Sequence, residues 1–345
     1  MAYTTINKST DYFNTKLYTG NGGTNAITGV GFQPDMVWIK DRTGTNNHEI
    51  TDVVRGVNYQ IYPNLNNAQT NAANHLTTFG TDGFTVGSDG STNTNSSNYV
   101  SWNWKASGST ASNTDGSITS TVSANTTSGF SIVKWTGTGA NGTVGHGLNA
   151  VPKMIIVKDT DASDNWNVYH VSTGNDSHLH LNLNLAASGS STYWQDYTPT
   201  SSVFYIGSDS AINASGNEFI AYCFAEKTGY SKFSSYKGNG NSDGPFIYTG
   251  FKPAFLLSKR STSTTMDWHI WDNKRSGAGG FNVLDKVIYP NHNLAEDTLT
   301  SLDFVSNGVK IRDNRNFLNT SGETYVYMAF GQSLVGSNNV PCTAR

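Results

Sequence analysis

A chain that carries the same ordered landmarks three times is held to three copies of one structural unit, and this sequence does so. The run Gly29-Val-Gly-Phe-Gln-Pro-Asp-Met-Val-Trp-Ile-Lys40 returns as Ala150-Val-Pro-Lys-Met-Ile-Ile-Val-Lys158 and as Gly250-Phe-Lys-Pro-Ala-Phe-Leu-Leu-Ser-Lys259. In each run a proline (Pro34, Pro152, Pro253) opens the segment and a lysine (Lys40, Lys158, Lys259) stands six residues on. Proline has no N–H for a ladder and sits best where a strand starts, so each run predicts a short buried strand entered from a turn. Upstream, an aromatic residue leads a glycine turn: Tyr18 before Gly20 and Gly22, Trp135 before Gly137 and Gly139, Tyr236 before Gly238 and Gly240. Downstream, Phe84-Thr-Val-Gly-Ser-Asp89 matches Phe204-Tyr-Ile-Gly-Ser-Asp209 and, more loosely, Val309-Lys-Ile-Arg-Asp313. Each copy ends on an asparagine six residues before an aromatic strand: Asn93 and Tyr99, Asn213 and Phe219, Asn319 and Tyr325.

The repeat is far longer than solenoid periods of roughly 20–50 residues, which predicts three domain-sized copies. The expected boundaries are a lead-in over 1–10, copy one over 11–107, a polar linker over 108–127, copy two over 128–227, copy three over 228–331 and a tail over 332–345. Residues 108–127 show almost no apolar anchor and predict a flexible or extended connector, with copy one hinged on a packed pair of copies two and three. Charged residues are 14% and aromatics 12% of the chain, with 35 glycines, a composition that suits turn-rich β structure. No segment holds a helical apolar period, so the predicted fold is all-β with very little helix: three tandem β-sandwiches of jelly-roll or lectin-like type. The closing strands, aromatic on both faces, are predicted to be central. His178-Leu-His-Leu-Asn-Leu-Asn-Leu185 alternates strictly and predicts Leu179, Leu181, Leu183 and Leu185 on one face.

A net charge of −3 without a basic block argues against nucleic-acid binding. No apolar run reaches the roughly 18 residues of a membrane span, and the first residues lack the apolar core of a signal peptide, so a cytoplasmic origin is expected. Cys223 falls in a predicted core strand and Cys342 in the tail, which argues against a disulfide.

Motifs for chemistry are sparse. Gly-x-Ser-x-Gly, His-Glu-x-x-His and phosphate-loop patterns are absent, and the Gly20–Gly23 cluster reads as a hairpin turn. His178 and His180, two apart on a strand, would need a third ligand such as His170 to hold a metal, and packing is the favoured reading. Asp89, Asp209 and Asp313 recur after a turn and offer calcium ligation or, in the favoured reading, an Asx turn. Asp52, Asp164, Asp267 and Asp272 lie beside aromatics but do not pair as a glycosidase would require. Trp38, Trp102 and Trp104 predict core. Tyr62, Trp194, Tyr197 and Trp271 are the loop aromatics that would meet a sugar ring. No cofactor, metal or catalytic residue is expected.

Three runs carry a resemblance: 26–42, 144–158 and 248–259, together with Tyr222-Cys-Phe-Ala-Glu-Lys-Thr-Gly-Tyr-Ser-Lys-Phe233 and Tyr327-Met-Ala-Phe-Gly331. They resemble a repeat family of tailed bacteriophages, many of them marine and cyanobacterial, over about 11–331. The resemblance implies a virion protein, most often a tail fibre or related appendage, without assigned catalytic residues. It implies other virion proteins and a host surface glycan or receptor as partners, and a homotrimer as fibres commonly form, although no coiled-coil heptads mark one. A capsid decoration or head-fibre protein and a polysaccharide depolymerase are the alternative expectations.

Overall fold

The computed structural model of the protein describes residues 3–263, 265–276, 282 and 284–335. The chain is mostly strand, and the helices among the described residues, apart from a short 3-10 turn, are single turns of four residues. Each copy builds an inner sheet from the same four strands in the same order. A leading strand (Phe13–Thr19, Phe130–Thr136, Ser231–Lys237) pairs with the closing strand (Asn98–Trp104, Glu218–Ala225, Thr324–Gln332). The closing strand pairs in turn with the entry strand of the proline motif (Met36–Asp41, Pro152–Asp159, Lys252–Arg260). A fourth strand (Glu49–Asp52, Asn167–His170, His269–Asp272) completes the order. The closing strands are therefore central, as their two-faced aromatic pattern requires, because only a strand flanked on both sides and covered on both faces can bury such residues. Pro152 and Pro253 sit at the starts of their strands, each beside a register shift in the pairing, where a missing N–H costs little.

Alternation along the inner strands divides their side chains between two cores. One face of all three inner sheets meets in a single cluster. It gathers Trp38, Trp102 and Trp104 from copy one, Phe130, Ile156, Tyr222 and Phe224 from copy two, and Phe255, Leu257, Met328 and Phe330 from copy three. The opposite face of each inner sheet packs on that copy's own outer strands. Val37, Ile39 and Tyr99 meet Ile27, Phe84 and Val86; Trp135, Val157 and Phe219 meet Val144, Phe204 and Ile206; Leu256, Tyr325 and Tyr327 meet Ile247, Val309 and Ile311.

The expected linker is part of the framework. Within 108–127, Ala111–Asn113 and Ser120–Asn125 are strands, and the second adds to the leading strand of copy two. Two apolar residues suffice as anchors: Ile118 and Val122 are buried against Val144 and Leu148. Backbone pairing, which composition does not report, supplies the rest. Copy one is not hinged either, because its inner face lies in the shared cluster. The alternation over 178–185 also stops short. The strand is Ser177–His180, Leu179 and Leu181 are buried, and Leu185 is exposed. The tail begins later than 332, since Gln332 closes the last strand, and Cys342 lies outside the described residues.

The landmark asparagines explain why the turns recur. Asn93, Asn213 and Asn319 are fully buried. Each Nδ2 donates to carbonyls of the glycine turn: Gly23 O at 2.5 Å, Ala140 O at 2.6 Å and Asn241 O at 2.7 Å. Each Oδ1 accepts a turn N–H, from Asn21, Thr138 and Asn239. A Cβ on Gly20, Gly137 or Gly238 would fall 2.1, 2.1 and 2.2 Å from the carbonyl oxygens of Thr94, Ala214 and Thr320, so the leading residue of each turn can only be glycine.

The copies hold one another in a ring. At the fourth strand's end, Tyr222 of copy two donates to Asp52 of copy one at 2.8 Å, and Trp102 of copy one donates to Asp272 of copy three at 3.0 Å. At the corresponding place in copy two, His170 Nε2 faces the Tyr327 carbonyl of copy three at 3.1 Å. A second belt runs at the strand's start. His48 Nε2 meets the Tyr289 carbonyl at 3.0 Å, Trp166 Nε1 donates to the Tyr62 carbonyl at 3.0 Å, and Trp268 Nε1 donates to the His180 carbonyl at 2.8 Å.

Candidate functional site

The repeated lysines are interior. Lys40, Lys158 and Lys259 are fully buried and bond to backbone carbonyls rather than carboxylates: Lys40 to Asp41 and Gly44, Lys158 to Asp159 and Ala162, Lys259 to Asn184 and Met266. Burial lowers their pKa values to about 8, about 8 and about 7. Gly44, Ala162 and Met266 lie in the loop after each entry strand, so the lysine ties that loop to the sheet, and Lys259 also reaches across to Asn184 of copy two.

The recurring aspartates close turns, and Asp89 and Asp209 also cap the single-turn helices that follow them. Asp89 accepts from Ser91 N, Asp209 from Ala211 N and Asp313 from Arg315 N, which is the Asx geometry. Asp52 and Asp272 are buried in pairs with Arg55 at 2.7 Å and Arg275 at 2.5 Å, and Arg275 also reaches Glu296 at 3.1 Å. Both carboxylates are thereby committed to the junctions between copies. Asp267 accepts from Asn291 and His292.

The four loop aromatics separate. Trp194 and Trp271 are buried in the cores of copies two and three, so neither ring is open to a surface ligand. Trp271 lies within the strand His269–Asp272, not in a loop. Tyr62 is half-buried, and its carbonyl serves the second belt. Tyr197 is 58% exposed, with its ring 5.0 Å from that of Tyr205. Sequence reasoning passes over Phe246 and Tyr248, 48% and 59% exposed on either side of buried Ile247, so both rings stand on one face of the strand Phe246–Tyr248. That strand pairs on one side only. A pattern of aromatic, apolar, aromatic is a legible signal, yet it does not say which face looks outward.

The histidines do not assemble as a group of three. His178 stacks on Tyr193 at 3.7 Å and touches His180 edge-on at 4.9 Å, whereas His170 is turned to the junction with copy three. Burial lowers His170 and His178 to about 4. Another cluster, dispersed in the sequence, is brought together in copy one. Glu49 opens the fourth strand, His75 precedes the strand Leu76–Gly80, and Asp89 caps the turn carrying Ser91. His75 Nδ1 is 2.6 Å from Glu49 Oε1, and His75 Nε2 is 3.3 Å from Asp89 Oδ2. The Ser91 hydroxyl lies against Glu49 Oε1 and Asp89 Oδ1. One ligand atom from each of Glu49, His75 and Asp89 lies within 4.8 Å of the others, a spacing that would suit a metal ion.

Fold and site together define a class: a mostly-β protein whose internal copies share one core, with its recurring polar residues turned to structure. The chain belongs to the DUF7483 family, described as a domain of unknown function, whose model matches residues 8–333. The matched span takes in all three copies. Comparison with curated proteins finds no match. No helix among the described residues is long and apolar enough to cross a membrane.

Proposed function

We propose that the protein is a structural component of a bacteriophage virion, a tail-fibre-type appendage that contacts host surface glycans through its outer strands and turns. Each copy is then a two-sheet β-sandwich, and the three form one rigid head. The observation that carries the recognition role is the pair Phe246 and Tyr248, two half-exposed rings side by side on an edge strand, while the framework aromatics are buried. Aromatic rings supply rigid, amphipathic contact area at low entropic cost, and sugar faces stack on such platforms. The Tyr197–Tyr205 pair offers a second platform on copy two. The phage-like framework motifs support the virion setting.

A capsid decoration or head-fibre role is the second reading. The ring of three equivalent contacts favours it, because such a ring matches a threefold axis. Gold-labelled antibody on intact virions separates the two: label at the tail supports host recognition, and label over the head supports decoration. For the glycan, the variant Phe246→Ala/Tyr248→Ala is expected to lose binding on a glycan array with an unchanged melting temperature. Equal binding by the variant and the native chain would remove the platform from the reading.

A further inference from the structure

We propose that Glu49, His75 and Asp89 form a binding site for one divalent transition-metal ion in copy one. Copies two and three show what this location holds when it is purely structural. The residues at the place of Glu49 are Asn167, which donates to the Ala211 carbonyl at 3.0 Å, and His269, which stacks on Phe317 at 4.5 Å. Neither group carries a charge, the second because burial holds His269 down at about 4. Copy one places the carboxylate of Glu49 there and, with His75 and Asp89 beside it, gathers two carboxylates and an imidazole, a donor set typical of ions such as zinc and manganese.

The cluster is not satisfied by its own protons. Glu49 is 2% exposed, and its Oε2 is closed off from solvent with no hydrogen-bond donor among the described residues. Ser91 has one hydroxyl proton for two carboxylate oxygens, Glu49 Oε1 and Asp89 Oδ1. Even a doubly protonated His75 leaves one negative charge uncancelled in a largely buried place, a costly arrangement without a cation. A divalent ion supplies that charge. His75 stands between the two carboxylates, with Nδ1 facing Glu49 and Nε2 facing Asp89, so each ring nitrogen is directed at another member of the donor set.

The test is calorimetric titration of the chelator-treated full chain with Zn2+, and separately with Mn2+. One ion per chain is expected, with His75→Gln and Glu49→Gln each weakening uptake at least ~10-fold. His292→Gln, which alters the exposed His292–Asp267 pair, is expected to leave uptake unchanged. Zinc-edge X-ray absorption on the native chain reads the same site without a variant and is expected to show a single imidazole with oxygen neighbours. No uptake of either ion by the native chain would overturn the proposal, as would uptake undiminished in His75→Gln or a shell of several imidazoles or of sulfur.

Discussion

At the scale of the residue, this protein encloses many ionisable groups. His48, His170, His178 and His269 are all pushed below the ordinary histidine range, with burial as the largest cause in each. The unfolded chain therefore binds more protons than the folded one between about pH 4 and 6.5. The stability these neutral rings contribute is complete above pH 6.5 and is lost as pH falls toward 4, on the order of 3 kcal/mol for a ring depressed as far as His170. Urea midpoints measured at pH 7 and pH 4.5 are expected to show a large fall, and equal midpoints would refute it. The buried lysines follow the same logic at higher pH. Their folded pKa values near 7 to 8 lie below that of the free side chain, so protonation is disfavoured in the fold and stability is expected to rise from about pH 7 toward 10. Lys158→Met leaves the carbonyls of Asp159 and Ala162 without that donor and is expected to cost about 1–3 kcal/mol in chemical denaturation.

At the scale of the element, what the sequence made legible was whatever repeats. The entry strands, the central place of the closing strands and the Asx caps all followed from landmarks whose chemistry has few alternatives. The outer strands Asn25–Thr28 and Gly142–Gly145 escaped notice because their edge positions tolerate polar and glycine residues, and Asp297–Val305, although paired on both sides, because its run of Asp, Thr and Ser leaves no strict alternation. The segment 108–127 escaped for a related reason. A strand that pairs through its backbone needs little apolar content, and Ile118 with Val122 is enough. Limited proteolysis is expected to spare 111–125, and rapid cleavage there under native conditions would contradict its place in the sheet. The metal-type cluster was hidden because Glu49, His75 and Asp89 are spread over three elements and only Asp89 sits at a recurring landmark, so repetition could not point to the set. Asn213→Ala removes the donors that hold the second glycine turn to Ala140 and Gly207 and is expected to cost at least about 2 kcal/mol.

At the scale of the molecule, the shared cluster makes the copies interdependent. Residues 11–107 alone would expose the inner face of Trp38, Trp102 and Trp104, a large apolar surface that copies two and three now cover. Calorimetry of the full chain is expected to give one transition with equal calorimetric and van't Hoff enthalpies, whereas three separable transitions would show that the copies are autonomous. Arg275→Met, which strands Asp272 at the junction of copies one and three, is expected to cost about 3–5 kcal/mol and to lower that single transition as a whole.

The ring has no privileged first member. Ser9 N donates to the Gln332 side chain at 2.7 Å, and that side chain donates back to the Asn7 carbonyl at 3.2 Å, so the lead-in to copy one rests on the end of copy three. The peptide connections between copies are one way of closing a circle that the side chains already close. A circular permutant joined from copy three to copy one and opened between copies two and three would keep every contact of both belts. For this fold, the order in which the three copies are read from the gene is a matter of where the circle was cut.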